Sequence, residues 1–503
     1  MLFRGLLLLP LALISGAGAS CSSVTTSYED EIGDIYRRYR RGELQEAARL
    51  IQEGYRSHWK VQFNAEAGTM KFADDAVIWN LERGKILLDA GRYENAYEAL
   101  QDAETVINQG FGERATISAR ATAGEAKALA TNQKALPYEG YVHDRVLLNC
   151  YKAIAALMER DLDRALMEAR RVEEAQDSAI RRFSSDAEAT DRAGSKKGVQ
   201  PDYGVFVSDS RVREDLPWLQ GADAYPESYQ GFVNPYALLV KAVLRRVKDD
   251  PNESAVVDLR NLASMVPDNR YVVEELERAQ AAAEPAGWVY VLFENGMAPV
   301  VESVEVHVPY GYIRAVLGRG TNEASDLLDH AFFALPVLRG ARGPAAALVV
   351  RDDAGGEFRS QRVSEMEMVM RYEFERRYPG VLTRELLRLV VQETATNQVE
   401  KIAKNQDDLL GLVAKLGGLL YKSAMNRADD RSWRTLAADF QFLVLPMPED
   451  GLLHLSLSDG GAQPITVDLA GKDVAVIYAR SVGRGHLSVH QAGFDYGSGG
   501  IQP

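Results

Sequence analysis

The stretch WNLERGKILLDAGRYENAYEALQDAETVI, residues 79–107, decides the first half of the fold. Ala96, Leu100 and Ala103 recur at intervals of four and three residues, which places them on one face of a helix. Gly91 supplies a residue free to adopt the left-handed conformation that ends one helix and turns the chain into the next. Gly84 and Ala96 carry so little side chain that two helices can approach closely there. The segment therefore predicts an antiparallel helical hairpin, closed at Gly91 and packed along Gly84, Ala96, Leu100 and Ala103.

Together with Leu87 and Tyr93, these positions fall at the offsets of a tetratricopeptide repeat, although Trp79 and Leu81 are out of register with the usual Trp and Leu of that motif. Weaker copies follow the same grammar: Gly42-Leu44-Ala47-Ile51-Gly54, Leu162-Ala165-Ala169-Val172, and Ala255-Leu259-Leu262 with Pro267. Their key alanines, at positions 47, 96, 165 and 255, are unevenly spaced. The expectation is an irregular, decorated stack of helical hairpins over residues 28–284; an ordinary non-repeating helical domain is the plainer alternative. Residues 183–235 read as a loop insertion, in which Ser184–Gln200 is a linker. Trp218, Tyr225, Tyr229, Phe232 and Tyr236 either pack across the stack or line a groove, and packing is the preferred reading.

After Glu284-Pro285 the pattern becomes alternating and β-branched, at Trp288–Phe293, Val300–Val308, Phe332–Leu338 and Ala346–Val350, with a turn at Asp352–Gly356. Helical periodicity returns from Glu365, where Pro379-Gly380 predicts a break between two helices. Strand patterns resume at Phe440–Leu445, Leu452–Leu457, Ile465–Leu469 and Val474–Tyr478. Residues 285–482 thus predict an α+β domain, and the Gly-rich 483–503 a flexible tail. The fold class expected is multidomain: an all-α, tetratricopeptide-like domain followed by an α+β domain. Leu409–Leu420, interrupted by Lys415, reads as a buried core helix.

The first 20 residues have export-signal grammar: Arg4, a short apolar run from Leu6 to Ile14, then small residues. Ala17-Gly18-Ala19-Ser20-Cys21 resembles a bacterial lipobox, with Gly18 where Leu is usual; cleavage after Ala19 is the alternative. The resemblance makes Cys21 the lipidation site and residues 21–27 an anchored linker. Ser22 after the cysteine favours the outer membrane in Gram-negative sorting, and two or three acyl chains suffice for stable anchoring. Cys150, the second of two cysteines, is then left without a disulfide partner.

A chain of 503 residues that is 46% hydrophobic is globular, and a net charge of −14 argues against nucleic acid as partner. No HExxH, Walker A, GxSxG, SxxK or CxxC motif occurs. Gly194-Ser195-Lys196 lacks the upstream glycine of a phosphate loop. His486 and His490 have a spacing that suits metal on a helix, but they lie among glycines. His143-Asp144 and Asp329-His330 offer acid–base neighbours without a nucleophile, and neighbours along a chain usually point apart. Asp352-Asp353, Asp407-Asp408 and Asp429-Asp430 read as turns and helix ends. Cys150 reads as a core residue. No catalytic residue, cofactor or metal is assigned, and the chain is expected not to be an enzyme.

Several further stretches, Asn234-Pro235-Tyr236, Phe293-Glu294-Asn295-Gly296-Met297-Ala298-Pro299, Arg431-Ser432-Trp433-Arg434-Thr435-Leu436 followed by Phe440–Pro446, and Gly471-Lys472-Asp473 before Val474–Tyr478, resemble an uncharacterised family of proteobacterial lipoproteins with tetratricopeptide-like N-terminal halves. The likeness covers most of the mature chain and brings no catalytic residues with it. Members of that family look like genomic neighbours of outer-membrane lipoproteins that activate peptidoglycan synthases. The resemblance implies an envelope-anchored scaffold, facing the periplasm, that binds protein partners of the cell envelope. The alternatives are an accessory lipoprotein of an export or appendage machine, and an enzyme acting on peptidoglycan or glycan with a site built from scattered residues.

Overall fold

The computed structural model describes residues 28–58, 62–64, 69–112, 137–196, 198–216, 226–232, 234–249, 255–307, 332–340, 342–403, 428–497 and 500–502. Cys21, the signal segment, the 21–27 linker, Trp218, Tyr225, Asp329-His330, Asp407-Asp408 and the Leu409–Leu420 stretch lie outside these residues.

Helices dominate to residue 280. They are α1 (Tyr28–Arg40), α2 (Leu44–His58), α3 (Ala76–Asp89), α4 (Tyr93–Gly112), α5 (Val142–Met158), α6 (Leu162–Lys196), the short α7 (Tyr203–Ser208) and α8 (Ser210–Asp215), α9 (Pro235–Lys248), α10 (Val256–Met265) and α11 (Arg270–Gln280). A small hairpin, β1 (Gln62–Asn64) and β2 (Thr69–Lys71), lies between α2 and α3. The long helices pack in sequence, α1 on α2 through to α6, then α6 on α9, α9 on α10 and α10 on α11.

Three hairpins close in the same way. The residues after α1, α3 and α5 that take positive φ are Gly42, Gly91 and Arg160. In each turn the next residue donates its N–H five residues back: Glu43 to Arg38, Arg92 to Leu87 and Asp161 to Ala156. This is the left-handed helix stop that satisfies orphaned carbonyls. Ala47, Ala96 and Ala165 each stand five residues beyond the positive-φ position, and each donates to the carbonyl four residues before it. Three of the four unevenly spaced alanines therefore hold the same position relative to their turns, and Ala255, the N-cap of α10, does not.

From residue 288 the chain builds sheets. A six-stranded sheet has the order β14 (Gly500–Gln502), β13 (Ser488–Gly497), β12 (Val474–Ser481), β3 (Trp288–Asn295), β9 (Asp439–Pro446), β8 (Gln361–Glu365). Only the central β3–β12 pair is parallel among these six strands. Parallel pairing requires a long crossover. The crossover contains the hairpin β4 (Val300–His307) with β5 (Phe332–Arg339), a four-stranded sheet of β11 (Ile465–Asp468), β10 (Leu452–Leu457), β6 (Leu348–Asp352) and β7 (Glu357–Arg359), and helix α12 (Met366–Ala403). Every residue of β12 is buried, as expected of a central strand covered on both faces.

Three expectations change, at 488–497, at 183–196 and at Pro379, whereas the helical half and the sheet-bearing α+β half follow one another as expected, with strand patterns beginning near residue 285. Leu81, Tyr151 and Leu244 of the helices belong to one buried apolar cluster with Val291, Phe442 and Ile477 of the sheet. Residues 488–497, read as a flexible tail, form β13, in which Ser488–Phe494 pair antiparallel with Arg480–Val474 of β12 and the last three residues pair with β14; burial of Ala492 and Phe494 outweighs the glycine content. The region read as a loop from 183 is helical to Lys196, because α6 packs against α12 and buries Thr190 and Gly194. Pro379 lies inside α12 rather than ending it: Thr383 Oγ1 donates to the Pro379 carbonyl, and packing on α6 holds the helix together across the missing N–H.

Candidate functional site

The hairpin α3–α4 sets the geometry from the residues upward. A Cβ placed on Gly84 would lie 2.5 Å from Leu100 Cγ and 3.4 Å from the Ala96 carbonyl, so the two helices touch at this glycine. Ala96, Leu100 and Ala103 are fully buried on the facing side. Gly91 makes the turn, and Tyr93 beside it shares a hydrogen bond of 2.8 Å with His490 Nδ1 on β13. His486 lies over the equivalent turn residue, Gly42. The two histidines weighed for metal binding thus seat the edge of the sheet on two hairpin turns. Among the described residues no group of three or more His, Cys, Asp or Glu is placed to hold a metal ion.

With one face on α4, α3 directs Glu82, Lys85 and Asp89 toward the strands and the segment before β9, while Arg83 turns the other way to Gln52 and Asp102. Every residue of the helix is buried, including Glu82, Lys85 and Asp89. Lys85 Nζ lies 2.6 Å from both carboxylate oxygens of Asp89, 3.1 Å from Glu294 Oε2 of β3 and 3.0 Å from the Tyr478 hydroxyl of β12. Arg480, adjacent to Glu294 in the parallel β3–β12 register, places Nε 3.5 Å from Asp89 and 4.0 Å from Glu294. The Tyr39 hydroxyl of α1 donates to Asp89, and Tyr478 donates to Asp89 at 2.7 Å. All four charged side chains are fully buried. Two cations face two anions, the arrangement that makes buried charge tolerable. Burial would push the Asp89 carboxyl up, but Lys85 and Arg480 outweigh it and hold the group below its ordinary value.

The motifs quoted above converge on this centre. Glu294 belongs to it; Thr435 donates N–H and hydroxyl to Glu82, which also accepts from Arg434 N and the Tyr36 hydroxyl. Trp433 packs edge-on against Tyr151 of α5, and Tyr236 stacks on Phe440 with ring centroids 4.2 Å apart. Tyr229 accepts from Glu365 N, and Phe232 packs on Phe183 and Tyr372. The aromatic residues described in this segment pack against the sheet and α12. Sequence reading missed Lys85, Asp89, Tyr39 and Arg480; the one available signal was two opposite charges at i and i+4 flanking the apolar run Ile86–Leu88.

A second buried centre ties the start of α5 to α12. Glu373 accepts from Val142 N, His143 N and His143 Nδ1, the last at 2.7 Å, and pairs with Arg377. Burial opposes its ionisation, but Arg377 and His143 overcome it and bring the carboxyl to about 2. Burial would lower His143; Asp144 and Glu373 reverse the effect and raise it. Asp144 caps the helix, accepting from Tyr141 N and the Tyr138 hydroxyl. His143 and Asp144 do approach, at 3.4 Å, with a structural third member rather than a nucleophile beside them. Asp352 closes the Gly356 turn and Asp429 pairs with Arg431, while Gly194-Ser195-Lys196 ends α6. Cys150 is buried in α5, and burial pushes its thiol well up.

Between the hairpins α5–α6 and α9–α10 lies a half-open cavity of about 300 Å³, lined by Val146, Val172, Ala237, Leu238 and Met265 together with Asn234, Lys241, Glu173 and Gln176. That is the lower end of the size range of pockets that hold small ligands or a partner's side chain. No helix among the described residues is long and apolar enough to cross a membrane. Comparison with protein-family models, with curated proteins and with solved structures gave no match.

Proposed function

We propose that this chain is an envelope-anchored scaffold, held at a membrane through an acylated Cys21, whose helical stack is tetratricopeptide-like and binds a peptide segment of an envelope protein. The observation that carries the reading is the hairpin closure repeated at Gly42, Gly91 and Arg160, each followed five residues later by a buried alanine. Stacked hairpins of this kind present extended surfaces suited to peptide capture. The 300 Å³ cavity lies between two successive hairpins, and its mixed lining suits one large apolar side chain with the polar backbone beside it. The buried ionic centre supports the same reading, since it fixes the stack to the sheet and keeps the binding surface in one shape.

The test is in-cell photocrosslinking from Leu238 and Met265, followed by detergent purification and mass spectrometry. A discrete envelope protein captured from both positions, and lost with Leu238→Arg at unchanged thermal stability, is the expected result. Recovery of the chain alone, or bound only to glycan, would overturn the scaffold in favour of a glycan-directed role. Cys21→Ser should move the protein from the membrane to the soluble periplasmic fraction; full retention at the membrane would refute the acyl anchor.

A further inference from the structure

In the cavity of about 300 Å³ between α5–α6 and α9–α10, the polar groups are unequally satisfied. Asn234, Ala237, Leu238 and Lys241 stand at i, i+3, i+4 and i+7 along the start of α9, so a single face of that helix supplies one wall. Val146 of α5, Val172 of α6 and Met265 of α10 complete the apolar lining. Val146, Val172, Asn234, Ala237 and Lys241 are buried, whereas Leu238 and Met265 are partly exposed and Glu173 is exposed, which separates a floor from a mouth.

Asn234 is the N-cap of α9, and its Oδ1 accepts from Tyr236 N at 3.0 Å and from the Ser364 hydroxyl at 3.4 Å. Capping commits that oxygen and so fixes which way round the amide sits. The Asn234 Nδ2 has no acceptor among the described residues, although the side chain belongs to a residue only 3% exposed. Buried amide donors are nearly always satisfied, and one left over at a cavity wall is a place for an acceptor from outside. Lys241 makes no such demand. Glu173 and Lys241, the two charged residues of the lining, pair with each other, and Lys241 also lies 3.3 Å from Asp258, whose other oxygen is held by Arg245. Two cations and two carboxylates leave this group without net charge. In the first turn of α9, Pro235 has no N–H and Tyr236 N is already taken by Asn234. The cavity therefore calls for an acceptor without calling for an anion.

We propose that this cavity binds an internal, uncharged stretch of a partner polypeptide, burying one Leu- or Phe-sized side chain against Val146, Val172, Leu238 and Met265 while Asn234 Nδ2 donates to a backbone carbonyl beside it. A peptide carbonyl is a neutral acceptor, and the apolar side chain next to it fills the walls. A chain-terminal carboxylate fits worse, because it would bring a third anion to a lysine already shared between Glu173 and Asp258. The inference rests on the scaffold reading and specifies the kind of segment that the scaffold captures.

Ligand-observed saturation-transfer NMR on the full chain carrying Cys21→Ser, titrated with N-acetyl-leucine-N-methylamide and N-acetyl-phenylalanine-N-methylamide, tests the site. Both capped residues should give a saturable signal. N-acetyl-alanine-N-methylamide should bind about tenfold or more weakly, because it leaves the apolar walls unfilled. N-acetyl-leucine, with its free carboxylate, should bind about fivefold or more weakly than its amide. Asn234→Asp keeps the capping oxygen and loses the donor, so the dissociation constant for the leucine amide should rise about fivefold or more while the unliganded melting temperature stays near that of the parent. Asn234→Ser, which keeps a capping hydroxyl and lacks the amide, should show the same loss and serves if the Asp variant does not fold. A parent protein indifferent to both capped amides, N-acetyl-leucine bound as tightly as its amide, or undiminished affinity in a folded Asn234 variant would overturn the proposal. The two readings fail separately. Capture of an envelope protein from Leu238 and Met265 by a chain indifferent to the amides would retain the scaffold and refute this pocket. Amide binding with no protein captured in cells would refute the scaffold and leave the pocket's preference for a capped apolar residue standing.

Discussion

Lys85 and Arg480 share two carboxylates, so removing either cation leaves an anion buried without its full complement. Lys85→Met should therefore cost about 3–5 kcal/mol, read from the midpoint of urea unfolding, although methionine matches the volume and apolar character of the lysine stem. Adding Asp89→Asn should recover part of that loss, because the two substitutions act on one network and cannot be additive. Glu373 makes a pH-dependent contribution whose sign is fixed by its carboxyl being held at about 2, below its ordinary 4.5. Its contribution, on the order of 3 kcal/mol, is complete above pH 4.5 and is lost as the pH falls from 4.5 toward 2. His143 is raised above 6.5, so its share is present below that pH and fades above it. Glu373→Gln should be less stable at pH 7 and should show a shallower stability loss between pH 4.5 and 2; an unchanged acid limb would remove Glu373 from this role.

Hairpin closure is the property of the elements. At Gly84 an added methyl meets Leu100, so Gly84→Ala should destabilise by about 1–3 kcal/mol, and Leu100→Ala in the same chain should relieve part of the clash. Arg160 is an exposed non-glycine residue in the position that Gly42 and Gly91 fill elsewhere. Arg160→Gly should stabilise by about 0.5–1 kcal/mol, as relief of the left-handed strain exceeds the added freedom of the unfolded chain. Much of this level was legible in the sequence. Ala96, Leu100 and Ala103 carry a period that only a helix satisfies, and the change to alternating residues at Trp288 marks the strands. Other features were not legible. The equivalence of Gly42, Gly91 and Arg160 was hidden because an arginine gives no turn signal. β13 was hidden because its glycines and histidines look like a tail until β12 is present to pair with them. The continuity of α6 and α12 depends on their packing against each other, which no local pattern records.

For the whole molecule the consequence is coupling between halves that differ in composition. Asp89 and Lys85 come from the helical stack, Glu294, Tyr478 and Arg480 from the central strands, and all five meet far apart in sequence because β3 and β12 are parallel neighbours. No spacing rule could have joined residues 85 and 480, whereas the chain's division near residue 285 is plain from its strand pattern. Apolar residues of both halves belong to one cluster around those charges. The most direct measurement is urea unfolding of the full chain followed by two probes, far-ultraviolet circular dichroism for the helices and fluorescence of the tryptophans, among them Trp433 at the helix–sheet interface. Coincident transitions that shift together in Lys85→Met are predicted for a single cooperative body. Two separated transitions, with only one moved by the substitution, would contradict it.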